Sequence, residues 1–303
     1  MKKFLSLIIA LIICFLAVGC VNINDKDGVL ITDVFGNENR LNSTSKIVSC
    51  YGSFTECYML SGGSLVGVTS DAINEHNLIL DKSVEIVGSV KSINLEKIVE
   101  LLPNYVILSA DLTAHLQLEP QLKTLKIPYG YFRVDTFNDY KNLMKVFCEI
   151  NCREDLYIKN VLDIENSIAK IKNSTIKTNK TALLMRAYST GIKAKKSDNI
   201  AGTIIKELGL NNIAETTPSL LENMSLEHIV WTNPDYIFLL TMGDEEKALE
   251  YVKNNLENNL AWSNLKAVKN KKFIVLPKEL FHYKPNNRWD KSYEFIKDAI
   301  EKN

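Results

Sequence analysis

The sequence has little of what bare metal ions and most enzymes require. Its 303 residues include four histidines, which lie far apart in the chain. Sites for bare zinc or manganese ions bring several histidine and carboxylate ligands together, so we expect no resident metal. The chain also lacks the Gly-x-Ser-x-Gly elbow, the Gly-x-x-x-x-Gly-Lys-Ser/Thr loop and the His-Glu-x-x-His pair, which hold catalytic groups at fixed spacings. We therefore predict that the protein is not an enzyme and holds no cofactor.

The chain also lacks an excess of charge of either sign. Lysine plus arginine and aspartate plus glutamate each number 36, so the formal net charge is +0. Without a basic stripe, nucleic acid is not an expected partner. There are six cysteines, and those beyond the N-terminal segment could form bridges in an exported protein. The sequence leaves open whether these four are buried thiols or include one bridge: Cys50, Cys57, Cys148 and Cys152.

The first twenty residues resemble a bacterial lipoprotein signal. Two lysines precede an apolar run from Phe4 to Ala17, which is typical of a secretory signal, and the segment ends at Gly19-Cys20. In such signals the cysteine is lipidated and becomes the mature N-terminus, although Ala17 stands where leucine is commonest. Ordinary cleavage after Ala17-x-Gly19 is an alternative, and a retained membrane helix would be at the short limit for spanning. We expect residues 1–20 to be the signal, 21–27 a tether, and Cys20 a lipid anchor on the outer face of the cell membrane.

One fifteen-residue pattern occurs twice in the rest of the chain. The copies run from Asn94 to Leu108 and from Ser225 to Leu239, and seven positions are identical. In each copy an N-cap residue opens a short helix, proline ends it, and a β-branched and aromatic run follows, typical of a strand buried on both faces. Chance similarity could supply the apolar matches, but it explains the shared Leu-Glu and Pro-x-Tyr less well. We infer two related lobes.

The strongest helical pattern in the chain lies between these two copies. Five apolar residues are spaced four, three, four and three positions apart: Tyr157, Val161, Ile164, Ile168 and Ile171. A helix of about twenty residues reaches roughly 30 Å. Strands alternating with helices on either side predict βαβ units and mostly parallel sheets. We predict an α/β fold with an N-terminal lobe over 28–152, a rigid linking helix over 153–176 and a C-terminal lobe over 177–303.

The order of these elements resembles that of class III substrate-binding proteins, which serve ABC importers of iron–siderophores, haem and cobalamin. The resemblance covers nearly everything after Cys20, and the joint order of its segments is specific although no single segment is diagnostic. Besides the lipoprotein signal and the linking helix, the matching segments are Lys46-Ile47-Val48-Ser49, Leu65-Val66-Gly67-Val68, Val87-Gly88, Asn94-Leu95-Glu96, Pro103-x-Tyr105, Pro234-Asp235-Tyr236 and Ala261-Trp262-x-x-Leu265-x-Ala267-Val268-Lys269.

The resemblance implies two lobes joined by one helix, with the ligand in the cleft between them. In this family the glutamate of the Asn-Leu-Glu element in each lobe binds arginines of the membrane permease, and here these positions are Glu96 and Glu227. Charge-assisted bonds to arginine suit such a role. The alternative is that each glutamate merely complements its helix dipole, worth about 0.3–1 kcal/mol, but recurrence at matching positions favours docking. We expect a monomer that binds an ABC permease and its ATPase.

Ligands of open α/β sheets bind beyond the carboxyl ends of the strands. That rule selects Tyr51, Ser53, Ser109, Asp111, Arg133, Arg186, Tyr188, Met242 and the loop from His282 to Trp289. Aromatic faces with a few fixed polar groups suit large chelated ligands, and Tyr188, Tyr283 and Trp289 supply such faces. Arg186 and Arg288 can pair with an anionic chelate. Core packing is the alternative role for each aromatic residue, and ordinary surface exposure for each arginine.

A ferric siderophore is the expected ligand, followed by cobalamin or another corrinoid and then by haem. His282 and Met242 could serve as axial haem ligands, although a satisfied loop histidine is the alternative. Two functions of other classes remain open, namely a membrane-tethered ligand sensor and a surface adhesin or scaffold. A permease and ATPase encoded beside the gene would favour transport, whereas a neighbouring histidine kinase would favour sensing.

Overall fold

The part of the chain that the structure describes begins beyond the predicted tether. The computed structural model describes residues 28–176, 178–217, 220–221 and 226–301. The predicted signal with Cys20, the tether and Ser225 lie outside these residues. Within the described ranges, no helix combines the length and the apolar character that crossing a bilayer requires.

In the described residues, the strands form two five-stranded sheets and two small hairpins. Valine, isoleucine and aromatic residues dominate the central strands, as expected where both faces of a sheet are covered. In chain order the strands are β1 (Val29–Thr32), β2 (Glu38–Leu41), β3 (Ile47–Ser49), β4 (Gly67–Val68), β5 (Glu85–Ile86), β6 (Gly88–Ser89), β7 (Ser92–Ile93), β8 (Tyr105–Ser109), β9 (Tyr129–Phe132), β10 (Thr181–Tyr188), β11 (Gly191–Ala194), β12 (Asn211–Asn212), β13 (Tyr236–Thr241) and β14 (Phe273–Val275).

The two large sheets lie one in each half of the chain. The N-terminal sheet has the order β5-β4-β3-β8-β9, and all of its neighbouring strands are parallel. The C-terminal sheet has the order β11-β10-β13-β14, with β12 also paired to β10, and its antiparallel strand is β11. The hairpins are β1-β2 and β6-β7. This arrangement confirms the predicted α/β fold with mostly parallel sheets.

Helices connect the strands within each lobe and join the lobes to each other. They are α1 (Gly52–Leu60), α2 (Asp71–Asn74), α3 (Leu95–Glu100), α4 (Thr113–Leu116), α5 (Glu119–Thr124), α6 (Phe137–Ile150), α7 (Glu154–Tyr157), α8 (Asp163–Ser174), α9 (Ile200–Glu207), α10 (Leu226–Thr232), α11 (Glu245–Val252), α12 (Leu260–Ser263), α13 (Lys266–Lys269), α14 (Lys278–Phe281) and α15 (Trp289–Glu301). Short π-helical turns span Ile158–Leu162 and Lys253–Glu257, and 3-10 turns span Ile213–Glu215 and Asn286–Arg288.

The two copies of the repeated pattern occupy equivalent places in the two sheets. Each copy forms a helix, α3 or α10, that runs into a central strand, β8 or β13. Strand β8 lies between β3 and β9, just as β13 lies between β10 and β14, and all four pairings are parallel. Shared topology at both flanks is not expected from chance similarity of two short segments, and it supports the inference of two related lobes.

One helical segment crosses from the first lobe to the second. Helix α7, the π-helical turn and α8 follow one another without a break from Glu154 to Ser174. The π-helical turn is tied to the first lobe, because Asn160 Nδ2 donates to the Leu60 carbonyl at 2.9 Å and its own carbonyl accepts from Tyr140 Oη at 3.0 Å. Apolar residues of α8 belong to a core cluster that contains residues of both lobes. The lobes are therefore packed on a common element as well as joined by it.

The cysteines that the sequence left unassigned are free thiols. Cys50, Cys57 and Cys148 are buried, and Cys152 is exposed. Burial raises the pKa of Cys148 to about 11, and burial also raises the pKa values of Cys50 and Cys57 well above the ordinary thiol value. These three groups are therefore neutral at physiological pH and pack as small apolar side chains.

Candidate functional site

The side chains selected from the sequence lie at the carboxyl ends of strands in both sheets. In the N-terminal lobe, Tyr51 and Ser53 follow β3, Ser109 ends β8, Asp111 follows it, and Arg133 follows β9. In the C-terminal lobe, Arg186 and Tyr188 lie near the end of β10, Met242 follows β13, and the segment 282–289 follows α14. We call residues 282–288 the interlobe loop, because it contacts the opposite lobe.

A buried carboxylate on α1 binds the interlobe loop. The Glu56 side chain is 8% exposed, and it accepts hydrogen bonds from Asn286 Nδ2 at 2.7 Å and from two Arg288 nitrogens at 2.7 and 3.3 Å. His76 Nδ1 lies 3.0 Å from the same carboxylate. Burial would raise the pKa of Glu56, but the hydrogen bonds from His76 and Arg288 outweigh it and hold this pKa below its ordinary value. An ionised carboxylate thus joins the two lobes.

Further hydrogen bonds hold the interlobe loop against the N-terminal lobe. Ser53 Oγ donates to the carbonyl of Tyr283, and Asn286 Nδ2 also donates to the carbonyl of Ser53 at 3.0 Å. Lys284 Nζ donates to the carbonyl of Val134. In this conformation Ser53, which the sequence proposes as a ligand contact, instead binds the opposite lobe.

Two cations face the same side of the C-terminal sheet. Arg186 stands directly opposite Lys193 in the antiparallel pairing of β10 with β11, so the two side chains share a face. Arg186 Nε is buried without a hydrogen-bond partner, and within the described residues neither cation forms an ion pair. Like charges directly opposite each other are destabilising, and an anion bound between them would remove that repulsion.

A row of three rings connects this cationic face with the N-terminal lobe. The His282 ring centroid lies 4.9 Å from that of Tyr283, which in turn lies 5.8 Å from that of His76. Burial, together with the positive charges of Lys278 and Arg186, lowers the pKa of His282 to about 4. His282 is therefore a neutral imidazole at physiological pH, with the capacity to bind a metal centre.

Carboxylates surround Tyr51 on the side of the N-terminal lobe. Asp71 Oδ2 accepts from Gly52 N at 2.7 Å, which satisfies one free donor at the start of α1, while Asp71 Oδ1 is buried without a partner among the described residues. Burial raises the pKa of Tyr51 to about 12, and the charges of Asp71 and Asp111 add to the effect. Arg133 Nε donates to Asp111 Oδ1 at 2.6 Å. The cationic face and these carboxylates belong to opposite lobes.

Trp289 lies in the core and not on a cleft surface. Its side chain is 0% exposed and packs edge-on against Phe137, with ring centroids 5.9 Å apart. It begins α15, whose buried apolar residues Trp289, Tyr293, Ile296 and Ile300 recur at helical spacing. This residue therefore differs from the other aromatic candidates: Tyr283 is part of the ring row, and Tyr188 is half-buried at the end of β10, as Met242 is after β13.

The two glutamates expected to bind a permease are exposed and occupy matching positions. Glu96 lies in the first turn of α3 and Glu227 in the first turn of α10. The Asn94 side chain accepts from Lys97 N at 3.1 Å, as predicted for the N-cap of α3. Among the described residues neither glutamate has an ion-pair partner, so both carboxylates are available to another molecule.

Four residues of this region were not among the candidates chosen from the sequence: Glu56, His76, Lys193 and Lys278. Lys193 had a usable signal, because a two-residue turn between Tyr188 and Gly191 sets it opposite Arg186. Glu56 had no such signal, since its partner Asn286, which lies within the selected loop, is 230 residues away in the chain.

Comparisons with known proteins agree with this architecture. The model of a family described as periplasmic binding protein matches residues 47–280. The petrobactin-binding protein YclQ of Bacillus subtilis is 27% identical, with 100% of each chain covered. The iron-uptake system-binding protein of the same species is 27% identical over 74% of this chain and 70% of its own. The crystal structure of Staphylococcus aureus IsdE complexed with heme superposes with a TM-score of 0.70 at 20% identity, covering 85% of this chain and 99% of that one.

Proposed function

The chain belongs to the periplasmic binding protein family, and from that premise we propose that it captures a ferric siderophore between its lobes and delivers it to an ABC importer. One observation carries the choice of ligand, namely the paired cations Arg186 and Lys193, which have no carboxylate partner in the described part of the chain. An anionic chelate would accept charge-assisted hydrogen bonds from both.

The remainder of the site suits a large chelate as well. The ring row of His282, Tyr283 and His76 offers aromatic edges and faces, which are typical of sites for bulky ligands. The name of the relative YclQ states that it binds petrobactin, an example of such a ligand. A corrinoid is an alternative of similar size.

Haem is a second candidate, favoured by one specific observation. His282 is neutral because its pKa is lowered to about 4, and a neutral imidazole is a good iron ligand. Met242 lies on the same lobe and is half-buried. Haem bound through these residues would give a Soret band that an iron–siderophore complex lacks.

We expect the chain purified without residues 1–20 to bind a member of a panel of ferric siderophores, corrinoids and haem. Binding at a hundredfold excess over Kd should raise the free energy of unfolding by about 2.7 kcal/mol, which a thermal melt detects as a shift of several degrees. Absorbance spectra and tryptophan quenching identify the bound member. Absence of binding across the whole panel would contradict this proposal and favour the sensor or scaffold alternatives.

Replacing Arg186 by glutamine should weaken the binding of an anionic chelate about tenfold to a hundredfold, because a hydrogen bond to a charged group contributes about 1.5–3 kcal/mol. Arg153→Gln is the matched control, since Arg153 is exposed at the start of the linking helix and pairs with Asp155. Titration calorimetry of both variants tests this. Equal affinity in Arg186→Gln and the wild type would place the chelate elsewhere.

The remaining elements of the proposed function concern location and partners. We propose that lipid on Cys20 anchors the exported monomer at the outer face of the membrane, and that Glu96 and Glu227 bind the permease of the permease–ATPase complex. The exposure of both glutamates and their matching positions support this. A tethered sensor would share the anchor and the cleft, but it would not need both glutamates.

A further inference from the structure

The most exposed aromatic side chain on the C-terminal lobe stands one helical turn from Glu227. Trp231 is 80% exposed, and residues four positions apart in a helix lie on the same face. Val230, three positions from Glu227, is also exposed, whereas Ile229 on the other face of α10 is buried. Helix α12 packs against α10, and its first residue, Leu260, is 82% exposed. Exposed tryptophan next to exposed aliphatic residues is typical of a surface that another protein covers.

The internal repeat shows that this feature belongs to one lobe. Trp231 occupies the position of Glu100 in the first copy, just as Glu227 occupies the position of Glu96. The exposed face of α3 therefore presents two carboxylates one turn apart, while the corresponding face of α10 presents one carboxylate and an indole ring. Two related lobes thus offer chemically different surfaces at equivalent places.

We propose that Trp231, with Val230 and Leu260, forms an apolar anchor for the permease next to Glu227, so that the two lobes dock by different means. This inference rests on the proposed function, because its occupant is the permease that Glu96 and Glu227 bind. The partner surface is a pocket that contains an arginine. A guanidinium that pairs with Glu227 can also stack on the Trp231 ring, because Glu227 and Trp231 lie on the same face of α10. On the N-terminal lobe, the matching positions carry Glu96 and Glu100, which bind through charge.

The binding experiment uses the chain from residue 21 and the cognate permease–ATPase complex in nanodiscs. Trp231→Ala should weaken binding about thirtyfold, the size expected for a tryptophan at the centre of an interface. The factor should change little between about 0.05 and 0.5 M salt, because salt does not screen apolar contacts and screens a buried ring–guanidinium contact only weakly. Glu100→Ala should produce a smaller loss that fades at high salt. Ligand affinity and melting temperature should be those of the wild type in both variants.

Two controls separate this inference from the proposed function on which it rests. Ile79→Ala removes another exposed apolar side chain, 91% exposed on the loop before β5, and should leave permease binding unchanged. The double variant Glu96→Lys/Glu227→Lys tests docking itself. If the double variant loses binding while Trp231→Ala retains it, the apolar anchor is wrong and docking stands; if neither loses binding, both are wrong.

Other occupants of this surface would give different results. A second copy of the chain would make the purified protein self-associate through Trp231, and sedimentation would detect the loss of that association in Trp231→Ala. A lipid surface would retain the wild-type chain on protein-free vesicles more strongly than the variant. Either result, together with unchanged permease binding, would overturn the proposal.

Discussion

Replacing Glu56 by alanine is expected to lower the free energy of unfolding by about 3 kcal/mol. Removing one partner of a buried ion pair costs about 3–5 kcal/mol, because the other charge stays desolvated and unpaired. Glu56 satisfies Asn286, Arg288 and His76 at once. The expected loss lies at the low end of the range because the Arg288 side chain is 36% exposed and can recover water. Urea titration of the ligand-free protein measures the difference.

An exposed ion pair provides the matched control for Glu56→Ala. Lys141 Nζ lies 2.7 Å from Glu165 Oε1, and both side chains are substantially exposed. Pairs of this kind contribute about 0–1 kcal/mol, so Glu165→Ala should change stability far less. If the two variants lost the same amount of stability, the Glu56 network would not be the tie between the lobes that its geometry indicates.

The pH dependence of stability gives a second test of the same carboxylate. The pKa of Glu56 is held below its ordinary value of 4.5 by His76 and Arg288. Its contribution is therefore fully present above pH 4.5 and is lost as the pH falls through the lower, folded-state pKa. The wild type should lose stability more steeply over this acid range than Glu56→Gln, which has no carboxyl group to protonate.

This network also bears on how the cleft opens. The interlobe loop binds α1 through Glu56 and Ser53, while the linking helix packs on both lobes. Opening the cleft by a hinge at the linking helix alone would separate the Glu56 carboxylate from Asn286 and Arg288. The structure therefore favours small lobe movements in which these hydrogen bonds persist, and larger movements would require them to break.

The sequence predicted those features that depend on local pattern. The repeated helix–proline–strand units and the apolar spacing of the linking segment are short-range signals, and both formed the elements expected of them. Trp289 carried such a signal too, because its spacing to Tyr293, Ile296 and Ile300 is helical, yet its polar neighbours suggested a cleft loop. That spacing puts Trp289 on the apolar face of α15, and the residue packs in the core.

The features that could not be predicted depend on tertiary contacts. Glu56 has the appearance of an ordinary helical glutamate, and its partners Asn286 and Arg288 lie 230 and 232 residues away. No spacing rule connects positions so far apart. Glu56 is buried because α1 contacts the interlobe loop. That contact forms only when the two lobes pack on the linking helix.

Reversing the charge of both exposed glutamates is expected to abolish uptake while leaving ligand binding intact. In the docked complex each carboxylate would pair with arginine, and truncating one partner of a buried, hydrogen-bonded charge pair costs about 2–5 kcal/mol. Lysine at Glu96 and Glu227 adds repulsion between like charges to that loss. Because none of the candidate ligand contacts belongs to α3 or α10, the affinity for the ligand should not change.

Uptake of radiolabelled ligand by cells that carry each variant measures this effect. The matched control is Glu38→Lys/Glu250→Lys, which alters one exposed glutamate in each lobe and produces the same change in net charge, so that a general charge effect would appear in both. Each single variant at Glu96 or Glu227 should retain part of the uptake, since one lobe still docks.

Uptake at the wild-type rate in Glu96→Lys/Glu227→Lys would contradict docking through these residues and would favour the tethered sensor. A fall in ligand affinity would instead assign the defect to the cleft, which is why binding and uptake have to be measured on the same variants.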